Sequence, residues 1–411
     1  MAAHEVRTIR DDEIPTFIDV QRTAMLMPPP SEAVVESRRD LYGSQRCLVA
    51  VDEGRIVGTT RTFATELTLP GGGALPVGAV SSVGVLPTHR RRGHLTRLMT
   101  AQLADAAERG EALTILISAE WPIYGRYGYG MVTEACTVRL DAATAAFRAA
   151  PTGRTELVDA KAYRDVFADV YARTAARTPG HITWDDVWMD ITTGLRDIHD
   201  GQDEQRRDAR KVAWYDGAGV AQGALAYTVA ESWPGNRPRG TLTVLSLAAA
   251  TEEAERELYR FLTSIDWVSE AVVGPRPPDD PLPFHLVDGR AATFGDVFDH
   301  LWARVVDVPR ALTARGYLSA GSLVLAVVDA GGHAGGRWAL DAGPDGATCT
   351  PTDRPADLTV PVSALGAAYL GAHTWARLAA AGLVDEERPG AVARATALFA
   401  TERRPFCSTG F

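Results

Sequence analysis

The chain carries an approximate internal duplication, and this constrains its fold more than any other feature. Residues 79–118 (AVSSVGVLPTHRRRGHLTRLMTAQLADAAERGEALTILIS) and 241–274 (TLTVLSLAAATEEAERELYRFLTSIDWVSEAVVG) both read as strand, turn, amphipathic helix and strand. In the first copy the apolar period changes from two to near 3.6 after Pro87, and Leu95, Leu98, Met99, Leu103 and Ala106 fall on one helical face. A repeated unit of this kind changes the fold expected, because each copy must bury its own apolar faces. At 411 residues the chain also exceeds one ordinary core, so two or three domains are expected.

The two copies differ in chemistry. THRRRGH at the strand–helix turn of the first is replaced by TEEAERE in the second. An anion held at the first turn would be repelled at the second. The second copy therefore reads as a structural domain without cofactor.

Around the copies, helices are expected from about Asp11 to Met25 and over 31–43, with Ser31 as N-cap and MPPP as a break between them. Strands joined by the DEG and PGGG turns follow, and EACTVRLD closes the first unit near residue 140. The last segment reads as a helix over 296–316 and strands at 322–330, 336–342, 347–352 and 356–360. Two more helices follow, over 361–382 and 390–401.

No run approaches the roughly 18 apolar residues that span a bilayer, and the first residues lack an apolar signal region, so a cytoplasmic chain with no membrane partner is expected. The four cysteines are scattered and read as reduced thiols. A net charge of −10 argues against nucleic acid and favours cationic substrates through long-range attraction, although solubility alone also accounts for it. The nine histidines show no paired ligand spacing, so no metal is expected.

The turn VLPTHRRRGHL, from Val85 to Leu95, joins a strand to a helix. A helix start leaves backbone N–H groups unpartnered and carries partial positive charge, which suits an anion. Gly93 admits a bulky phosphate, and Arg90, Arg91 and Arg92 add donors that match phosphate oxygens. A merely solvated helix start would not place three cations at the positive end of the dipole. The pattern resembles the acetyl-CoA signature of the GNAT N-acetyltransferases, with Leu95 where Gly or Ala is commoner. That resemblance implies an acetyl-CoA site. Arg90, Arg91, Arg92, Gly93, His94, Leu95 and Thr96 would surround the pyrophosphate, and Val83, Gly84 and Val85 would lie along the pantetheine arm. Ala119 and Glu120 would flank the same V-shaped opening.

Acyl transfer to an amine needs a base for the ammonium and a proton for the departing thiolate. WPIYGRYGYG offers Tyr124, Tyr127 and Tyr129 as acids, and spacing does not choose among them; each also reads as a packed turn residue. Together THRRRGHL, IYGRYGYG and the terminal FCSTGF resemble the enhanced intracellular survival (Eis) family over the whole chain. The resemblance implies an α+β fold of tandem GNAT (acyl-CoA N-acyltransferase) domains followed by a sterol-carrier-protein-like domain. The expected bounds are 1–150 for the catalytic domain, 151–293 for a second one without cofactor, and 294–411 for the third. It further implies acetylation of aminoglycosides at several amines, a homohexamer, Tyr124 as general acid, and the C-terminal carboxylate of Phe411 as general base. Phe406 and Phe411 would anchor the tail by apolar burial, and a partly dry setting would raise the carboxylate's basicity. The rival readings are an acetyltransferase for protein lysines or other small amines, and a non-catalytic acyl-CoA or lipid-binding protein. A tail that merely caps an apolar groove is the structural alternative for FCSTGF.

Overall fold

A computed structural model describes residues 5–43, 45–198 and 204–411. The chain begins with β1 (Glu5–Thr8), α1 (Ile14–Ala24), α2 (Glu32–Gly43), β2 (Arg46–Asp52), β3 (Arg55–Thr68) and β4 (Ala74–Val85). Next come α3 (His94–Glu108), β5 (Leu113–Ile117), α4 (Trp121–Tyr124) and β6 (Gly130–Met131). The middle stretch holds β7 (Glu134–Asp141), β8 (Arg154–Leu157), α5 (Ala160–Ala175), α6 (Asp186–Thr193), α7 (Glu204–Asp208), β9 (Arg210–Tyr215) and β10 (Ala221–Ala230). It continues with β11 (Gly240–Ala249), α8 (Glu252–Thr263), β12 (Val268–Arg276), α9 (Leu282–His285) and β13 (Ala292–Asp299). The last stretch holds β14 (Leu301–Val305), α10 (Val308–Ala314), β15 (Gly321–Val328), β16 (Gly336–Gly343), β17 (Gly346–Pro351) and β18 (Leu358–Pro361). It ends with α11 (Val362–Ala368), α12 (Trp375–Ala380), β19 (Asp385–Glu386) and α13 (Ala391–Leu398).

These elements form two compact units. One takes in the chain as far as Thr133, then Thr178–Ile182 and Asp299–Phe411. Its larger sheet has the order β1-β2-β3-β4-β5-β14-β6. β4 and β5 are parallel and α3 connects them, while β14 is antiparallel to β5. Phe17, Ile18, Val49 and Val51 form the core between α1 and β2, and the Ser31 hydroxyl caps α2 as expected, accepting the Val34 N–H at 3.3 Å. The smaller sheet runs β17-β16-β15-β18-β19. α11 lies hard against the larger sheet: a Cβ on Gly366 would come 2.5 Å from the Ala303 carbonyl, and one on Gly130 would collide with the Ser363 carbonyl.

The other unit comprises Glu134–Arg177 and Thr183–Phe298, with the sheet order β13-β7-β12-β11-β10-β9-β8. Here β11 and β12 are parallel and joined by α8. β11–α8–β12 thus repeats β4–α3–β5, as the duplication requires.

Three expectations are corrected. The strand at 134–141 does not close the first sheet; β7 pairs with β12 in the second. The helix expected over 296–316 is the end of β13, then β14, then the short α10. All five residues of β14 are buried, and a strand buried on both faces lacks the period-two alternation that would tell it from a helix. The single helix over 361–382 is two, α11 and α12, separated at Gly371, which sits at φ +94°.

Candidate active site

The site begins where two parallel strands part. β5 pairs with β4 only through Gly78–Thr114, Ala79–Ile115 and Val80–Leu116. β4 nevertheless stays paired to β3 as far as Val85. Beyond Val80 the stretch Ser81–Val85 has a partner strand on one side only. A bulge sharpens the divergence: the β3–β4 register shifts between Thr59 and Arg61, Ser82 adopts φ +54°, and the Thr59 hydroxyl donates to the Ser82 carbonyl at 2.8 Å. Val83, Gly84 and Val85 occupy this one-sided edge. Gly84 has a structural reason of its own, because a Cβ there would lie 2.7 Å from that of Ala24 in α1.

The turn after Val85 leads into α3. Gly93 is its N-cap at φ +82°, and no side chain caps the first-turn N–H groups. A Cβ on Gly93 would meet nothing closer than Arg97 Nη1 at 3.5 Å, so the left-handed backbone is what calls for glycine. The three arginines differ in their surroundings. Arg90 donates to the Ala24 carbonyl at 3.1 Å, near the C-terminus of α1. Arg92 stands 3.7 Å from Asp52, and exposed Arg91 adopts φ +62°. His94 is buried, with Nε2 3.6 Å from the same Asp52 carboxylate. Thr96 is exposed, and its hydroxyl shares a 3.2 Å hydrogen bond with that of Tyr127. Ala119 and Glu120 are exposed and follow β5 directly, with Glu120 as the N-cap of α4.

In the second unit the corresponding helix start is capped and acidic. The Thr251 hydroxyl accepts the Ala254 N–H at 3.1 Å, and Glu252, Glu253 and Glu255 crowd the first turn of α8.

The three tyrosines left open by spacing differ in their surroundings. Tyr129 is fully buried, its hydroxyl bonded to Thr114 Oγ1 at 2.7 Å and donating to Gln102 at 3.3 Å. The Tyr127 hydroxyl is engaged with Thr96. Tyr124 is 8% exposed and makes no side-chain hydrogen bond among the described residues. It packs with Val80, Met99, Leu116, Tyr129 and Trp302, and half-buried Val83 and Leu95 border the same cluster. Burial lifts its hydroxyl to about 12, with smaller contributions from Tyr127 and Glu120.

The C-terminal tail returns to the same unit. Phe406 and Cys407 are buried. The Phe406 N–H donates to the Pro179 carbonyl at 2.8 Å, and its ring meets His181 edge-on. His300 Nε2 bonds the Thr409 carbonyl at 3.1 Å; burial holds this imidazole below its usual pKa, so the neutral ring donates from Nε2. The half-buried Phe411 sets its ring edge-on against Phe63 of β3, with centroids 5.3 Å apart. Phe63 pairs in register with Ala79 of β4, next to the Val80 that borders Tyr124.

Sequence reasoning missed Phe63 and Arg304, because pairing between distant segments leaves no local signature. It also missed Asp52, which a charge search around the arginine turn could not have placed. Among the described residues no group of three or more His, Cys, Asp and Glu side chains could hold a metal, and no helix is long and apolar enough to cross a membrane.

Comparison with known proteins agrees with this architecture. Residues 5–132 and 180–305 each match an acetyltransferase (GNAT) domain family, and residues 308–408 match a sterol carrier protein domain family. An uncharacterized N-acetyltransferase of Streptomyces avermitilis is 41% identical over 99% of this chain and 98% of its own length. The N-acetyltransferase Eis of Mycobacterium tuberculosis is 34% identical over 84% of each chain. The crystal structure of Eis1 from Mycobacterium abscessus covers both chains completely with a TM-score of 0.87 at 34% identity. Tandem GNAT domains with a sterol-carrier-like domain behind them make this chain an N-acetyltransferase. It belongs to the Eis family.

Proposed function

We propose that the enzyme transfers the acetyl group of acetyl-CoA to amines of a polycationic, aminoglycoside-like small molecule. The observation that carries the reading is the parting of β4 from β5 beside a buried Tyr124 whose hydroxyl is unengaged. The one-sided edge at Val83–Val85 offers backbone groups to a pantetheine arm. The side-chain-free start of α3 at Gly93, with Arg91 and Arg92, offers donors and charge to a pyrophosphate.

In this reading the Phe411 carboxylate takes a proton from the substrate ammonium, directly or through water. The free amine then attacks the thioester carbonyl carbon, the carbon–sulfur bond breaks, and the proton that the nitrogen sheds as the amide forms balances the one that the thiolate takes up. Tyr124 serves the departing sulfur. A phenol at about 12 opposite a thiolate of ordinary pKa, about 8.5, donates a hydrogen bond more readily than a whole proton. Full transfer requires the sulfur to be as desolvated as the phenol, which raises its proton affinity in parallel. In sequence terms the reading assigns the catalytic GNAT domain to residues 1–150, a second domain without cofactor to 151–293, and the sterol-carrier-like domain that supplies the terminal carboxylate to 294–411, although β7 pairs in the second sheet and β14 completes the first. Homo-oligomeric assembly, hexameric by family resemblance, belongs to the same reading.

The test is acetyl-CoA turnover over a panel of aminoglycosides, comparing the native chain with Tyr124→Phe and with a short extension after Phe411. Tyr124→Phe is expected to lower kcat by about 10²–10⁴. The extension is expected to abolish turnover while acetyl-CoA still binds. Near-native rates in both would remove these roles, and a native chain inactive on the whole panel would remove the substrate class.

A further inference from the structure

The segment that carries Tyr124 is gripped at both ends by one strand from far along the sequence. β14 lies between β5 and β6, and Trp302 and Arg304, two residues apart, project from the same face of it. At the start of the segment, the Trp302 ring meets Trp121 edge-on with centroids 5.0 Å apart, and Trp302 Nε1 donates to Asp299 at 2.7 Å. At its end, Arg304 Nε donates to the Tyr127 carbonyl at 2.8 Å, across 177 positions of sequence. Gly128 at φ +83° gives the guanidinium room; a Cβ there would come 2.5 Å from Arg304 Nε. Between these two grips lie only Pro122 to Arg126, with Tyr124 at the centre.

Arg304 is itself fixed by the C-terminal part of the chain. Its Nη2 donates to both Asp329 carboxylate oxygens, at 2.8 and 2.7 Å, and the two side chains are 0% and 2% exposed. Asp329 also accepts the Gly331, His333 and Ala334 N–H groups at 3.0, 3.0 and 2.8 Å. Burial acts to raise this carboxyl, but these bonds and the Arg304 charge outweigh it and hold it below the usual range. A buried ion pair this fully bonded is a weak source of stability and a stronger source of geometric definition.

We infer that Trp302 and Arg304, with Asp329 behind them, are positioning residues that hold the Tyr124 hydroxyl at the strand split, so that the sterol-carrier-like part of the chain sets the alignment of the acid. This rests on the reading of Tyr124 as the acid that serves the departing sulfur. Arg304→Lys keeps the charge but lacks the fork that reaches both the Tyr127 carbonyl and the Asp329 carboxylate.

The test is a double-mutant cycle of Arg304→Lys with Tyr124→Phe, measuring kcat and the KM for acetyl-CoA on the full chain. In the native background Arg304→Lys is expected to lower kcat by up to about 100-fold with KM unchanged. In the Tyr124→Phe background it is expected to change kcat by no more than about twofold, since the group it positions is already gone. Equal losses in both backgrounds, or a parallel rise in KM, would overturn the positioning role while leaving Tyr124 as the acid. A Tyr124→Phe enzyme as fast as the native one would overturn the reading of the acid, and this inference with it. If Arg304→Lys does not fold, Trp302→Phe run through the same cycle decides the matter by the same criteria.

Discussion

Tyr124 shows how burial and hydrogen bonding together sort three similar side chains into different roles. Tyr129 is more deeply buried, but Thr114 and Gln102 engage its hydroxyl; Tyr127 is engaged and wetter. Desolvation lifts Tyr124 to about 12, and the consequence for pH dependence has a definite sign. The protonated phenol is the active form. Raising its pKa extends activity to higher pH, where an ordinary tyrosine, near pH 10, would already be ionising. Activity is therefore expected to hold up to about pH 10 with no descending limb from Tyr124. A pH–rate profile of kcat, recorded for the native enzyme and for Tyr124→Phe, checks this. A descending limb between about pH 9 and 10 that disappears in the phenylalanine variant would contradict the burial argument.

At the scale of elements, what could be read from the sequence follows from how local each signal is. The β4–α3–β5 unit was legible because its apolar period, its Gly93 and its basic turn all lie within one short stretch. Its echo, β11–α8–β12, was legible for the same reason, and the acidic first turn of α8 is where the two copies differ in charge. β7 and β14 were not, because their places depend on strands far away in sequence. Leu301–Val305 reads equally well as helix or strand until β5 and β6 are known to flank it. The close seat of α11 on β14 was likewise invisible, although it leaves a trace in two glycines. Replacing Gly366 by alanine would force α11 off the Ala303 carbonyl, a backbone group that cannot swing aside. The expected cost is about 1–3 kcal/mol, read as a fall of several degrees in Tm together with a loss of kcat through the displaced β14. Gly217→Ala is the matched control, since nothing lies within 4 Å of its added Cβ. Equal melting temperatures for the two variants would mean that α11 adapts without strain.

At the scale of the whole molecule, the strand order makes the first sheet depend on the far end of the chain. β14 sits between β5 and β6, although residues 134–298 separate it in sequence from the strands it joins. A fragment ending at residue 150 would carry the acetyl-CoA turn, Tyr124 and every cofactor-binding residue proposed above. It would lack β14, and so expose β5, whose sequence LTILI is apolar throughout but for one threonine, as a bare edge strand. Such an edge is a template for aggregation. The Tyr124 cluster would also lose Trp302, and the turn at Gly128 would lose Arg304. The fragment is therefore expected to be aggregated or only partly ordered, and unable to bind acetyl-CoA, although each of its local motifs is intact. Amide hydrogen exchange settles the point, because the β5 amides that point away from β4 are protected in the full chain only if β14 covers them. A soluble fragment with native protection in β5 and undiminished acetyl-CoA binding would show that the sheet closes without β14. It would also separate the cofactor site from the alignment of the acid, leaving the late strand to serve catalysis alone.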